Sequence, residues 1–193
     1  SGEGKLRREW WLDMPGTLLT DLTNNPAYPA DYEDLDLLTS FETPVDWGDF
    51  HAQRVRGYLK PTVTGTYRFW IASDDQSRLL LSTNSNPANV APIAEVPDYT
   101  DSREWTKFPQ QASAPVTLEA GKRYYVEALM KEGEGGDNLA VGWMRPGDSA
   151  ITVIPGQYLS AFDPVDSPLA AWQFDEGTWT TTTGGVRELI GNV

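Results

Sequence analysis

The chain has 193 residues, 39% of them hydrophobic, with eight Trp, eight Tyr and no Cys. That composition is globular and suits one good core, and the missing cysteines exclude a disulfide framework, thiolate metal sites and a cysteine nucleophile. A net charge of −13 and a pI near 4.4 rule out the basic footprint that nucleic acid requires and disfavour anionic membrane surfaces.

The first segment, Glu9-Trp-Trp-Leu-Asp13, is followed by a short helix expected near Pro15–Thr23. Pro15 suits a first helical turn, and Leu18 and Leu22 lie one turn apart. Residues 24–50 are rich in Asn, Pro, Asp and Tyr without sustained periodicity and read as irregular. From Arg54 the pattern becomes β. Val55, Gly57 and Leu59 share one face, and in Gly65–Ala72 the residues Tyr67, Phe69 and Ile71 do the same. Arg78–Ser82 follows, then a long polar excursion over 83–114 that carries Tyr99, Trp105 and Phe108. Pro115–Glu119 and Lys122–Lys131 are the next strands, the latter with Tyr124, Val126, Ala128 and Met130 on one apolar face. A loop, Glu132-Gly-Glu-Gly-Gly-Asp137, leads into Asn138–Met144, where Leu139, Val141 and Trp143 alternate. Period-two alternation with turn signals every ~8–12 residues indicates an all-β antiparallel sandwich or barrel. No apolar run approaches a membrane span, and residues 1–20 lack the apolar core of a signal peptide, so an exported chain would carry its signal outside this sequence.

The chemistry concentrates at Ser73-Asp-Asp-Gln-Ser77, where a strand runs out into a polar turn. Adjacent carboxylates repel unless a cation lies between them, and Ca²⁺, which takes six to eight oxygen ligands, is the usual solution. Ordinary turn chemistry, with Asp bonded to its own backbone, remains the alternative for this stretch alone. The Gly133–Asn138 loop offers backbone carbonyls and the side-chain oxygens of Asp137 and Asn138; by itself it also reads as a flexible hairpin loop. His51 is the only histidine and no nucleophile elbow accompanies it, so a Ser-His-Asp arrangement lacks support, and zinc is disfavoured. Trp105, Trp70 and Tyr99 are candidates for stacking on a sugar ring.

In order along the chain, Leu6-Arg-Arg-Glu-Trp-Trp11, Arg54-Val-Arg-Gly-Tyr58, Thr64-Gly-Thr-Tyr-Arg-Phe-Trp-Ile-Ala-Ser-Asp-Asp75, Leu118-Glu-Ala-Gly-Lys-Arg-Tyr-Tyr125 and Gly135-Gly-Asp-Asn-Leu-Ala-Val-Gly-Trp143 resemble the protective-antigen-type PA-14 domain over about residues 5–160. The resemblance implies a β-sandwich-like barrel in which Asp74 and Asp75, joined by a cis peptide, chelate Ca²⁺. It implies that the ion coordinates vicinal hydroxyls of a sugar. Asp137 and Asn138 fall in the family's second calcium loop, with carbonyls of Gly135 or Gly136 completing the sphere. Asp74, Asp75 and Asp137 would then face the sugar with Trp105, Tyr99 and Gln110 (or Gln111) around it. Disulfides of the yeast flocculin-type members are missing here, so their specificity loops do not carry over.

Ala161-Phe-Asp-Pro-Val-Asp-Ser-Pro168 reads as a linker. The expected organisation is a sugar-binding domain over 1–161, a linker over 162–168, and a tail over 169–193. Leu169-Ala-Ala-Trp-Gln-Phe-Asp-Glu-Gly177 in that tail is similar to the opening strand of a laminin-G-like or concanavalin-like module. Twenty-five residues cannot build a core of their own, so the tail docks or begins a further domain. The functional expectation is a calcium-dependent, non-enzymatic lectin module of a bacterial extracellular or cell-surface adhesin. It would be monomeric within a larger chain, with saccharides or glycoconjugates on cell surfaces as partners and no nucleic-acid or membrane partner. An accessory domain of a glycoside hydrolase and a calcium-rigidified spacer are its rivals.

Overall fold

A computed structural model describes residues 2–163; the expectations for the rest of the linker and for 169–193 lie outside the described residues. The strands are β1 (Leu6–Trp11), β2 (Asp34–Leu38), β3 (His51–Leu59), β4 (Gly65–Asp74), β5 (Ser77–Ser82), β6 (Val90–Val96), β7 (Val116–Leu118), β8 (Tyr124–Glu132), β9 (Asn138–Met144), β10 (Thr152–Val153) and β11 (Leu159–Ala161). One sheet runs β2-β1-β3-β8-β5-β6, with β11 also on β3; the other runs β10-β9-β4-β7. Every pairing is antiparallel. This is the all-β sandwich that the alternation predicts.

The inward faces are the ones the sequence marks. Val55, Leu59, Tyr67, Phe69, Ile71, Tyr124, Val126, Ala128, Met130, Leu139, Val141 and Trp143 all belong to the core between the sheets. Burying each of the larger of these side chains contributes about 1.5–3 kcal/mol against a comparable entropy cost. The helix is shorter than expected: α1 spans Leu19–Thr23. Leu18 is its half-exposed N-cap, and its N–H donates to Asp21 Oδ2 at 3.0 Å. It is therefore Leu19 and Leu22 that face inward, joining Trp11, Met14, Ala52 and Leu129 in a second cluster on the outer face of the larger sheet. Phe162, the first position of the expected linker, packs on Tyr125 and Tyr58 at ring distances of 5.7 and 6.3 Å.

Two strands arise where irregular structure is expected. In β2 the acidic Asp36 accepts both Arg8 Nε (2.9 Å) and Nη2 (2.5 Å), so charge complementarity across β1 replaces apolar alternation. β6 carries Pro92 opposite Leu80, where the β5–β6 register shifts. An edge strand at a bulge is where a sheet tolerates proline.

Candidate metal centre

β4 is anchored inward by Tyr67, Phe69 and Ile71, and this fixes where its last residue, Asp74, emerges at one end of the sandwich. The Asp74-Asp75 peptide is cis. The turn is pinned to β8: Asp75 N–H donates to Lys131 O (3.0 Å) and Lys131 N–H to Gln76 O (2.9 Å). Buried Ser73 adds a 2.6 Å bond from its hydroxyl to Asp75 O. Gln76 ties the neighbouring loops together, accepting from Leu19 N–H (3.0 Å) and donating to Pro97 O (2.8 Å).

The β8–β9 hairpin faces this turn. Gly133 N–H donates to Asp75 Oδ2 at 2.9 Å, and Asn138 pairs with Asp74 across β4 and β9. Glu132, the last residue of β8, completes a triad in which Asp74, Asp75 and Glu132 each offer a carboxylate oxygen, all within 4.8 Å of one another. Glu132 is fully buried, yet neither of its carboxylate oxygens has a hydrogen-bond partner. Asp137 is also buried; its Oδ2 accepts from Gly48 N–H at 2.9 Å while Oδ1 has no partner. Asn138 donates through Nδ2 to Thr100 O at 3.0 Å, which leaves its buried Oδ1 without one.

Buried polar atoms are ordinarily satisfied, and each exception costs about 1–3 kcal/mol, more when charged. Four such oxygens on Glu132, Asp137 and Asn138, all acceptors, describe an unmet demand for positive charge where β8 runs into β9. The electrostatics agree. Burial and then Asp75 raise Asp74 to about 6. Burial, followed by Asp75, Asp74 and Asp137, raises Glu132 to about 8. Burial likewise pushes Asp75 and Asp137 upward. The nearest lysine does not cancel this: Lys131 Nζ is spent on the carbonyls of Gly16 and Glu132 rather than on a carboxylate. An all-oxygen donor set of mixed carboxylate and amide type fits a hard divalent cation of the Ca²⁺ kind.

Each of the other predicted residues is held by contacts of its own. Gly135 and Gly136 are exposed in the hairpin loop, with Gly135 N–H donating to Asp49 Oδ1 at 3.0 Å. Tyr99 is exposed and carries Lys107 Nζ 3.5 Å from its ring centroid. Trp105 lies over Gly142, where a Cβ would meet its ring at 3.1 Å. That places it on the outer face of the smaller sheet, about 13 Å along β9 from Asn138. Gln110 is exposed on a 3-10 turn. Gln111 is buried and fully committed, donating to Ile71 O (2.9 Å) and Glu104 O (2.6 Å) and accepting from Phe108 N–H (2.8 Å). Trp70 is buried beneath Arg68. His51 is buried too, Nε2 on Gln53 Nε2 at 2.8 Å, its pKa lowered by burial to about 4.

Sequence reading missed Glu132 as a site residue. The signal was present: the inward face Tyr124, Val126, Ala128, Met130 continues at the next step of two to a carboxylate.

The fold and the acidic turn together define a PA14 domain, and the chain belongs to that family, whose model matches residues 10–157. A curated relative, the mouse N-acetyl-beta-glucosaminyl-glycoprotein 4-beta-N-acetylgalactosaminyltransferase 1, is 31% identical over 146 residues, 73% of this chain; the chain spans only 14% of that protein's length. Among solved structures, the PA14 sugar-binding domain from an RTX adhesin superposes with a TM-score of 0.62 at 16% identity, covering 83% of this chain and 99% of that one. The Epithelial Adhesin 6 A domain of Candida glabrata, in complex with Galb1-3GlcNAc, gives 0.57 at 14% identity, covering 84% and 89%.

Proposed function

We propose that this chain is a calcium-dependent carbohydrate-binding module without catalytic activity of its own, carried by a larger extracellular or cell-surface protein. The observation that carries the reading is the buried, unpartnered Glu132 carboxylate facing Asp74 and Asp75. Asp74, Asp75 and Glu132 would hold the ion, with Asp137 Oδ1 and Asn138 Oδ1 as further donors. When bound, the ion supplies positive charge and open positions for vicinal sugar hydroxyls. The chain's part is to keep the carboxylates aimed and dry. Ser73, Lys131 O and Gly133 N–H fix Asp75, and Thr100 O holds the Asn138 amide nitrogen and leaves its oxygen free to donate to the ion. Half-buried Asp74 and Asp75 leave one side of the cluster toward solvent, which a ligand needs and a purely structural ion does not. The sugar-bound adhesin domain among the structural neighbours supports the choice of ligand.

Calorimetry with simple monosaccharides tests the proposal. The expected result is sugar binding in calcium, on the order of millimolar, and none in chelator or in Asp75→Ala. Equal binding in chelator would sink it. A second reading, an accessory domain beside a carbohydrate-processing enzyme, is favoured by the glycosyltransferase relative alone. It keeps the same site and differs in the neighbouring domain.

A further inference from the structure

Among the described residues four non-glycine positions have positive φ: Asp13 (51°), Asp46 (54°), Phe50 (51°) and Arg103 (57°). Aspartate tolerates the left-handed region, because its short side chain bonds to the local backbone, but a bulky aromatic does not. The Phe50 backbone is held there from both sides. Its N–H donates to Gly133 O at 2.6 Å, and its carbonyl accepts from Met14 N–H at 2.7 Å. Gly133 is the same residue whose N–H holds Asp75 Oδ2. A Cβ on Gly133 would meet Thr17 Cγ2 at 2.7 Å and Asp75 Oδ2 at 3.2 Å, so the Thr17 methyl also lies against this carboxylate's anchor.

Phe50 is 38% exposed and belongs to none of the three apolar clusters. Strain kept at a position outside these clusters is a candidate for function. A rim made of acidic side chains can bond hydroxyls but offers nothing to the C–H face of a sugar; an aromatic residue whose backbone is bonded to Gly133, the anchor of Asp75, is in position to supply that second surface.

We propose that Phe50, with the Thr17 methyl beside it, is the apolar wall of the saccharide site and selects neutral sugars that present a C–H face while their hydroxyls meet the ion. The inference rests on the lectin reading above. Its test uses the 193-residue chain in saturating calcium, titrated with glucose, galactose, mannose, fucose and N-acetylglucosamine. Phe50→Asn removes the ring but is at ease at this φ. It should weaken the best of these sugars roughly tenfold, leave the calcium titration unchanged, and hold or raise Tm. Phe50→Trp should retain binding. Wild-type sugar affinity in Phe50→Asn overturns the inference alone, as does a parallel loss of calcium binding, which would make Phe50 a support of the metal loop. A wild-type chain that binds calcium and none of these sugars overturns the lectin reading itself.

Discussion

Two carboxylates on the larger sheet are equally buried and differ in everything else. Glu9 on β1 is fully buried and surrounded by guanidinium groups: Oε1 accepts from Arg7 Nε (2.6 Å) and Arg56 Nη2 (2.7 Å), Oε2 from Arg54 Nε (2.6 Å). Burial works against its charge, but Arg54 and Arg56 outweigh that and hold its pKa below the usual value. The arginines are themselves supported, Arg54 over Trp11 and Tyr28 and Arg7 over Tyr32. Glu132, in the same sheet, has carboxylates for neighbours and no donor. A finished network is what a structural buried charge looks like, since an incomplete one costs several kcal/mol. An unfinished one marks a place where the missing member comes from outside the chain.

Breaking the finished network should have the largest effect. Glu9→Ala leaves three arginines facing one another on the sheet, and loss of one partner of a buried ionic cluster costs about 3–5 kcal/mol. For a chain of this size that lowers Tm by about 10 °C. Thermal melts should show the drop in calcium and in chelator alike, because the Glu9 cluster is separate from the acidic turn. A calcium-dependent drop would mean the two regions are coupled. Glu132→Gln should do the reverse. It keeps the volume, removes the charge, and weakens calcium by on the order of 100-fold. In chelator at neutral pH it should raise Tm, because the wild-type carboxyl, raised to about 8, must take up a proton on folding there and the amide need not. Unaltered calcium affinity in this variant would remove Glu132 from the site.

The same contrast separates what the sequence reveals from what it hides. Tyr67, Phe69 and Ile71, or Leu139, Val141 and Trp143, announce their face because strict alternation has one physical use in a globular chain. Asp74 and Asp75 are legible as a pair, since adjacency itself is the anomaly. Glu132 is hidden because a strand's final residue looks like the first of a polar loop. Phe50 and Asp49 are hidden for a different reason. The β3–β8 register sets His51 opposite Glu132, so the residues before β3 necessarily meet those after β8. That juxtaposition joins positions 133 and 50 through strand pairing, which no local pattern encodes. The Glu9 network is likewise invisible in one dimension: Arg7, Arg54 and Arg56 read as an outward polar face, and only the β1–β3 pairing stacks them on one carboxylate.

The smallest expected effect is the pH response, and its sign distinguishes the two regions. In chelator, Glu132 titrates near 8 against an ordinary value of 4.5, and Asp74 near 6 against 3.8. Between those limits the native chain binds more protons than the unfolded one, so stability is fullest below pH about 4 and is lost as pH rises to about 8. Glu9 runs the other way. Its lowered pKa gives stability that is present above the ordinary carboxylate value and lost only on acidification below it. Glu132→Gln isolates the first contribution: its Tm in chelator should match wild type near pH 5 and exceed it above pH 8. Calcium should invert the wild-type slope, because the ion competes with those same protons, so its stabilisation grows from pH 5 to pH 8. A calcium-induced shift in Tm that is flat across this range would place the ion away from Glu132 and Asp74.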